Sequence, residues 1–179
     1  SDLWGYAACP SPAMALQEAS AAQIASYVDR LSVQGNTYHD IGMIWGGRML
    51  SPNGLFSAQN ADEPGNSTSR HMIFLTDGET APLDISYGAY GIEPLDRRRW
   101  RSDSAMTLTQ TVENRFSFAC EEVKKRNIQV WVISFGTAAN PIMEACAGID
   151  RYFVADDATE LEETFSEIAR RMGELRIVE

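Results

Sequence analysis

Asp77 and Thr37 are the two residues of this sequence whose type and position most favour a chemical role, the binding of a cation. Asp77 follows an apolar run at residues 72–76, and Gly78 behind it permits close approach to the backbone. Thr37 stands just before a helix pattern, in a Gly-Asn-Thr string. A carboxylate and a hydroxyl at one edge of a sheet are oxygen donors suited to a hard cation such as Mg²⁺. The pair therefore predicts a partial metal site, the alternative being that Thr37 or Asn36 caps the helix.

A catalytic role for Asp77 is the second interpretation. An aspartate at a strand end could act as the nucleophile of a Mg²⁺-dependent phosphoryl transfer. That chemistry needs a second acid and a phosphate-binding Lys or Arg, but the lysines are Lys124 and Lys125, at the far end of a helix pattern. The sequence has neither a G-x-x-x-x-G-K-[ST] loop nor a G-x-S-x-G elbow. We therefore expect a protein that is not an enzyme, with phosphoryl transfer as the alternative.

The elements that position these residues are read from apolar patterns. Short apolar runs bounded by turn residues predict buried strands at residues 72–76, 128–135 and 152–155. Helical spacing predicts helices at residues 13–32, 38–50, 105–126, 141–147 and 158–175. The alternation of strand and helix predicts an α/β fold with three layers, a mostly parallel sheet flanked by helices. Three glycines in the second helix, Gly42, Gly46 and Gly47, indicate that it is pressed closely onto a neighbour.

The predicted sheet is short of strands. Three strands are few where about five or six are usual, so we expect the sheet to be incomplete at its N-terminal side. Residues 3–8 could supply a fourth strand. The strand at 72–76 otherwise keeps an open hydrogen-bonding edge, which native proteins cover. We therefore expect residues 3–8, or a strand from a second copy through self-association, to lie along that edge.

An ordered set of motifs resembles the von Willebrand factor type A (VWA) domain. The set is G-N-T-x-x-x-x-G starting at Gly35, then L-T-D-G-E at the end of the first strand, then I-x-V-W-V-I-S-F-G in the second. Five strings are further similar to the TadG family, the Tad-type (Flp) pilus assembly proteins of Gram-negative bacteria: TYHDIGMIWGGRMLSP, RHMIFLTDGET, VWVISFGT, the MEACAG turn and ELRI at the end of the last helix. This resemblance covers the chain from about Thr37 onward. The resemblance implies a VWA/Rossmann-like fold. It also implies a non-enzymatic, adhesion-type module that binds a protein partner of the pilus or cell envelope.

The same resemblance implies a metal-ion-dependent adhesion site. In VWA domains that site combines a D-x-S-x-S string after the first strand, a threonine matched here by Thr37 and an aspartate matched by Asp77. This chain has no D-x-S-x-S, and its nearest string begins at Asp84 and lacks the second serine. We therefore expect residues 1–179 to be one VWA-like domain fragment, the C-terminal part of a longer protein. Mg²⁺ would bind the full-length protein and not this fragment; a structural domain with a defunct metal site is a further alternative.

Cys120 and Cys146 are predicted to form a disulfide. Right-handed crossovers put the helices at 105–126 and 141–147 on the same face of the sheet. The rise per residue then places the two cysteines within about 6 Å of each other along the sheet, close to the usual Cα separation in a disulfide. The resemblance implies a periplasmic or cell-surface location, in which such a bond persists. It also implies an inner-membrane anchor in the N-terminal part of the protein. The alternative is two buried thiols; Cys9 is left over.

The charge of the chain limits its partners. Lys and Arg total 15 against 25 Asp and Glu, a net charge of −10. Such an acidic chain is a poor candidate for phosphate-backbone binding, so we expect no nucleic-acid partner. The basic cluster Arg97, Arg98, Arg99 and Arg101 indicates a solvated loop or a docking point for an acidic partner. No apolar run approaches the roughly 20 residues of a membrane span, so membrane attachment is expected only through the N-terminal anchor.

Overall fold

The computed structural model describes residues 11–32, 35–62, 64–65, 68–85 and 87–174. The strands are β1 (Arg70–Thr76), β2 (Ile128–Phe135) and β3 (Tyr152–Ala155). The helices are α1 (Ala21–Val28), α2 (His39–Leu50), α3 (Ser57–Asn60), α4 (Glu93–Asp96), α5 (Leu108–Lys124), α6 (Pro141–Ala147) and α7 (Ala158–Glu174). From β1 onward, strands and helices alternate as the sequence predicts for an α/β fold.

The three strands form one parallel sheet in the order β1-β2-β3. Thr76 at the end of β1 lies opposite Ser134 of β2, and Val132 of β2 lies opposite Tyr152 of β3. β2 is thus the central strand of the described sheet, and most of its side chains are buried. The predicted parallel sheet, with a strand buried on both faces, is confirmed.

Helices cover both faces of the sheet and give the fold three layers. On one face α2, α5 and α6 pack onto β1 and β2, with Phe116 against Val130 and Val132 in the main core cluster. On the other face α7 packs Ile168 against Trp131. The three-layer prediction is confirmed, and Trp131 is a core residue as its place in a buried strand predicts.

α1 is much shorter than the helix predicted over residues 13–32. The Ser20 hydroxyl oxygen accepts a hydrogen bond from the backbone N–H of Gln23, whose side-chain oxygen accepts one from the Ser20 N–H. This capping box fixes where the helix begins. None of its residues is buried, and Ile24 and Val28 of the predicted apolar stripe are exposed. A helix in a protein is stabilised mainly by the packing of its apolar face, so further turns without such packing add little stability. This explains why α1 begins later and ends earlier than predicted.

Other elements differ from the predictions by small amounts. The short helices α3 and α4 lie outside the ranges predicted as helices or strands. α5 begins three residues later than predicted, because Thr107 forms a capping box with Gln110. Residues 3–8, predicted as a fourth strand, lie outside the described residues.

The glycines of α2 permit close packing, as predicted. A Cβ atom added at Gly46 would lie 2.8 Å from Cε of Met72, and one added at Gly47 would lie 2.5 Å from Cγ2 of Val123. The β-branched Val123 has little rotamer freedom, whereas the end of Met72 is flexible. Gly47 is therefore the position at which α2 and α5 least tolerate a side chain.

Replacing Gly47 by alanine should destabilise the protein by roughly 1–3 kcal/mol through overpacking, even though alanine favours a helix by about 1 kcal/mol over glycine. Gly46→Ala is the matched control, with a smaller expected loss because Met72 can move aside. Urea unfolding of both variants measures the difference. A Gly47→Ala variant as stable as the unchanged chain would contradict this account.

β1 has no strand on its outer side among the described residues. Next to this edge Ile73 and Leu75, on the α7 face of the sheet, are 37% and 47% exposed. Within the described residues the sheet is therefore incomplete beside β1, as the sequence predicts.

We predict that the β1 amides pointing away from β2 are nonetheless protected from hydrogen exchange. Native proteins cover open sheet edges, and the two expected covers are residues 3–8 and a strand of a second copy. Hydrogen exchange combined with light scattering distinguishes them, since the first gives a protected monomer and the second a protected dimer. A monomer with unprotected β1 amides would exclude both covers.

Candidate functional site

The carboxyl edge of the sheet carries both predicted metal ligands. Asp77 directly follows β1, and its side chain is exposed. Thr37, half-buried, lies just before α2 and forms an antiparallel bridge with Ala81, each N–H donating to the other residue's carbonyl oxygen over 3.2 Å. The bridge ties the start of α2 to the loop that Asp77 begins. The two oxygen donors therefore lie on neighbouring segments at one end of the sheet.

His39 is the buried centre of this edge. Its Nδ1 lies 2.9 Å from the hydroxyl oxygen of Thr80, and its Nε2 lies 2.9 Å from that of Thr76. Burial lowers the pKa of His39 below its ordinary value, against the opposing effect of the Asp40 and Asp77 carboxylates. A neutral imidazole has one donor and one acceptor nitrogen, and the two hydroxyls satisfy both. His39 thereby fixes the turn after β1, a role that sequence reasoning missed.

A buried ionic cluster lies beneath the edge. The Asp40 carboxylate is 0% exposed and accepts from Arg115 Nε over 2.7 Å and from the Tyr90 hydroxyl over 3.1 Å. Arg115 also donates from Nη1 to Glu93 Oε1 over 2.9 Å, and its guanidinium lies 4.3 Å from the Tyr90 ring centroid. Burial, followed by the Asp40 charge, raises the pKa of Tyr90 to about 12, so its hydroxyl stays a donor. The cluster fastens the long loop between β1 and α5 to α2 and α5.

The residues present supply only part of a cation site. Thr37 and Asp77 are oxygen donors of the type that Mg²⁺ prefers, but Mg²⁺ requires near-octahedral coordination and gives up its waters reluctantly. Within the part of the chain that the structure describes, no cluster of three or more His, Cys, Asp or Glu residues is placed to hold a metal ion. Two oxygens therefore do not make a complete site by themselves.

We expect this chain to bind Mg²⁺ or Mn²⁺ with millimolar affinity or weaker, because a cation with two protein ligands stays largely hydrated. Titration calorimetry measures this, with Asp84→Ala as the control for loss of an exposed loop carboxylate. A micromolar site that persists in Asp84→Ala and disappears in Asp77→Ala would contradict the prediction.

The lysines lie at the opposite edge of the sheet from Asp77. Lys124 and Lys125 stand at the C-terminal end of α5, which leads into the start of β2. They pair with Glu121 and Glu122 at 3.0 and 2.7 Å. The structure therefore does not bring them to the carboxyl edge, where a phosphate group on Asp77 would lie.

The basic cluster after α4 is partly compensated by its neighbours. Arg98 and Arg99 both pair with Asp96, at 2.7 and 3.4 Å, and Arg101 pairs with Asp103 at 3.5 Å. Four arginines against two carboxylates leave an excess of two positive charges on an exposed loop, which fits both predicted roles, a solvated loop and a docking point for an acidic partner.

The structure joins Cys120 of α5 to Cys146 of α6 by a disulfide, with the sulfur atoms 2.04 Å apart and the Cα atoms 5.8 Å apart. Both residues are buried in the main core cluster, between the helices and β2. The bond therefore links the two helices that flank the central strand on that face.

The described fold defines an α/β protein of Rossmann-like architecture. It has three layers, and its central sheet is incomplete. Two crystal structures of the pilus adhesin SpaC from Lactobacillus rhamnosus GG, one of them in an open conformation, are similar to it, each with a TM-score of 0.52. Their sequence identities are 21% and 20%, and each match covers 85% of this chain and 21% of the SpaC chain. At this identity the likeness shows the fold alone, and the chain spans about a fifth of the adhesin's length.

No protein-family model and no curated protein matches the sequence. None of the described helices is both long and apolar enough to cross a membrane.

Proposed function

We propose that this chain is a VWA-like protein-binding module of a pilus-associated or cell-surface protein, and that it acts without catalysis. The observation that carries the proposal is that 85% of the chain matches part of a pilus adhesin in fold. The site fits this role, because ligands of open α/β sheets bind at the carboxyl ends of the strands. The exposed Asp77 carboxylate offers a contact at that position.

The finer form of the proposal is a TadG-like pilus assembly component with a partial metal-ion-dependent adhesion site. Thr37 and Asp77 would be two of its oxygen ligands. The others would come from the N-terminal part of a longer protein and from a carboxylate of the partner. This form includes a periplasmic or cell-surface location, with the inner-membrane anchor outside this chain. The order of the motifs around Thr37 and Asp77 supports it.

The direct test is binding to pili. Pili purified from the source bacterium are immobilised and titrated with the chain by surface plasmon resonance in millimolar Mg²⁺. We expect saturable binding that Asp77→Ala weakens at least tenfold and that the matched control Asp84→Ala leaves unchanged. Absence of binding, or equal binding by the Asp77→Ala variant, would overturn the proposal and favour a structural domain.

A second assay addresses the alternative of phosphoryl transfer. The chain is incubated with p-nitrophenyl phosphate and Mg²⁺, and the release of nitrophenolate is followed by absorbance. We expect no turnover above that of the Asp77→Ala variant, because the lysines pair with glutamates at the other edge of the sheet. Turnover that depends on Asp77 would show that the module is an enzyme.

A further inference from the structure

A wide groove runs along the outer surface between α2 and α5, from Met106 before α5 to Asn127 after it. Its walls are the last turns of α2, the connection at residues 51–55 and the outer face of α5. Its volume is about 1180 Å³. Small-molecule pockets are generally about 300–1,000 Å³, so the groove is large enough for a segment of polypeptide.

The groove exposes large apolar side chains. Phe118 of α5 is 69% exposed, Leu55 is 76% exposed and Met106 is 47% exposed, and all three line the groove. Phe118 lies on the face of α5 that it shares with Arg115 and Glu122, beside the face that packs into the core. Clustered exposed apolar residues of this kind mark interaction surfaces, and aromatic side chains commonly anchor protein partners.

The charged lining of the groove is mainly positive, although the chain as a whole carries −10. Arg48, Lys125 and Arg126 line it, and Glu122 is the one carboxylate among its described lining residues. Glu122 pairs with Lys125 at 2.7 Å and with Arg126 at 3.5 Å. Arg48 lies over the Trp45 ring at 4.9 Å, and the described residues give it no carboxylate at ion-pair distance. The lining therefore carries three such cations and one carboxylate, an excess of two positive charges.

Arg115 also lines the groove but adds no free charge to it, because its guanidinium is matched by the buried carboxylates of Asp40 and Glu93. The excess positive charge thus lies where α2 and α5 end, and the exposed apolar side chains share the same groove lining. A ligand complementary to this arrangement carries apolar side chains on one face and acidic side chains beside them.

We propose that this groove binds an amphipathic helix of a partner protein, with apolar residues spaced i, i+3 or i+4, and i+7, flanked by Asp and Glu. The groove lies between two helices, a setting in which an amphipathic helix lays down its apolar face. The acidic flanks meet Arg48, Lys125 and Arg126. The proposal uses neither Thr37 nor Asp77, so it stands or falls independently of the adhesion-type function.

The experiment begins with a random peptide library displayed on phage and selected on the full chain. Peptides that bind the empty support are removed. We expect the enriched sequences to share the apolar helical spacing and an excess of Asp and Glu. Enrichment of basic sequences, or of no common pattern, would overturn the proposal.

The best peptide is then labelled with fluorescein and titrated by anisotropy against defined variants. We expect Phe118→Ser to raise Kd at least tenfold and Arg48→Glu to raise it several-fold, with binding by the unchanged chain weakening as salt is added. The matched control is Ile149→Ser, which removes a side chain that is 87% exposed at a position outside the groove lining.

Circular dichroism confirms that each variant is folded. Equal losses in Ile149→Ser and Phe118→Ser would refute the groove as the binding surface. Sedimentation of the chain alone tests self-association: a dimer that Phe118→Ser dissociates would show that a second copy, and not an acidic partner helix, occupies the groove.

Discussion

Replacing Arg115 by alanine should lower the free energy of unfolding by about 3–5 kcal/mol, the cost of breaking a buried ion pair from one side. Asp40 is 0% exposed, and Arg115 Nε is its cationic partner at 2.7 Å. Removing the guanidinium leaves the carboxylate in the core with the Tyr90 hydroxyl as its remaining side-chain donor. It also removes the partner of Glu93, which is buried. Guanidinium chloride unfolding gives the value.

Two further variants define the origin of this loss. Arg99→Ala removes a neighbouring arginine that lies 4.9 Å from the same Tyr90 ring but pairs at an exposed position, so we expect a loss of about 0–1 kcal/mol. Arg115→Lys keeps the charge but cannot donate in the same fork to Asp40 and Glu93, so its loss should be intermediate. An Arg115→Ala variant no less stable than Arg99→Ala would show that the cluster contributes nothing.

Removing the disulfide between Cys120 and Cys146 should cost about 3.5 kcal/mol, the loop-closure value for ends 26 residues apart. The double variant Cys120→Ala/Cys146→Ala removes the bond without burying a new polar group. Cys9→Ala is the matched control, and we expect it to unfold like the unchanged chain. Urea unfolding without reductant gives the comparison.

Counting thiols in the denatured, unreduced protein checks the bond itself. One free thiol, that of Cys9, is expected. Three free thiols would mean that Cys120 and Cys146 are separate buried thiols, and the double variant would then lose only the packing of two small side chains.

The sheet could be predicted from the sequence because its signal is local. β2 carries four consecutive apolar residues at 130–133, and a strand buried on both faces needs such a run wherever it lies in the chain. The glycines of α2 were informative for the same reason, since each marks a close approach at its own position. The extent of α1 could not be predicted, because apolar spacing indicates a face that can be buried and not whether a neighbour is there to bury it.

The candidate site was only partly predictable. Asp77 and Thr37 stand next to recognisable elements, so their edge of the sheet follows from the topology. The partners of Asp40 could not be predicted from the residues near it in the sequence. Arg115 lies 75 residues away, and Tyr90 lies 50 residues away in an irregular loop. His39 was missed because its partners Thr76 and Thr80 are about 40 residues further along the chain. The signal available in the sequence was the pair of hydroxyl residues, Thr76 and Thr80, at and just after the end of a buried strand, where a buried imidazole could find partners.

The Cys120–Cys146 bond also determines how the chain would carry a mechanical load. Tension applied between the two ends passes through the disulfide, and residues 121–145 lie in a closed loop that bears none of it. β2, the central strand, lies within that loop. A fully pulled chain would be shorter by roughly 90 Å, the extended length of 26 residues. Its central strand would stay within the closed loop after β1 and β3 had been drawn away.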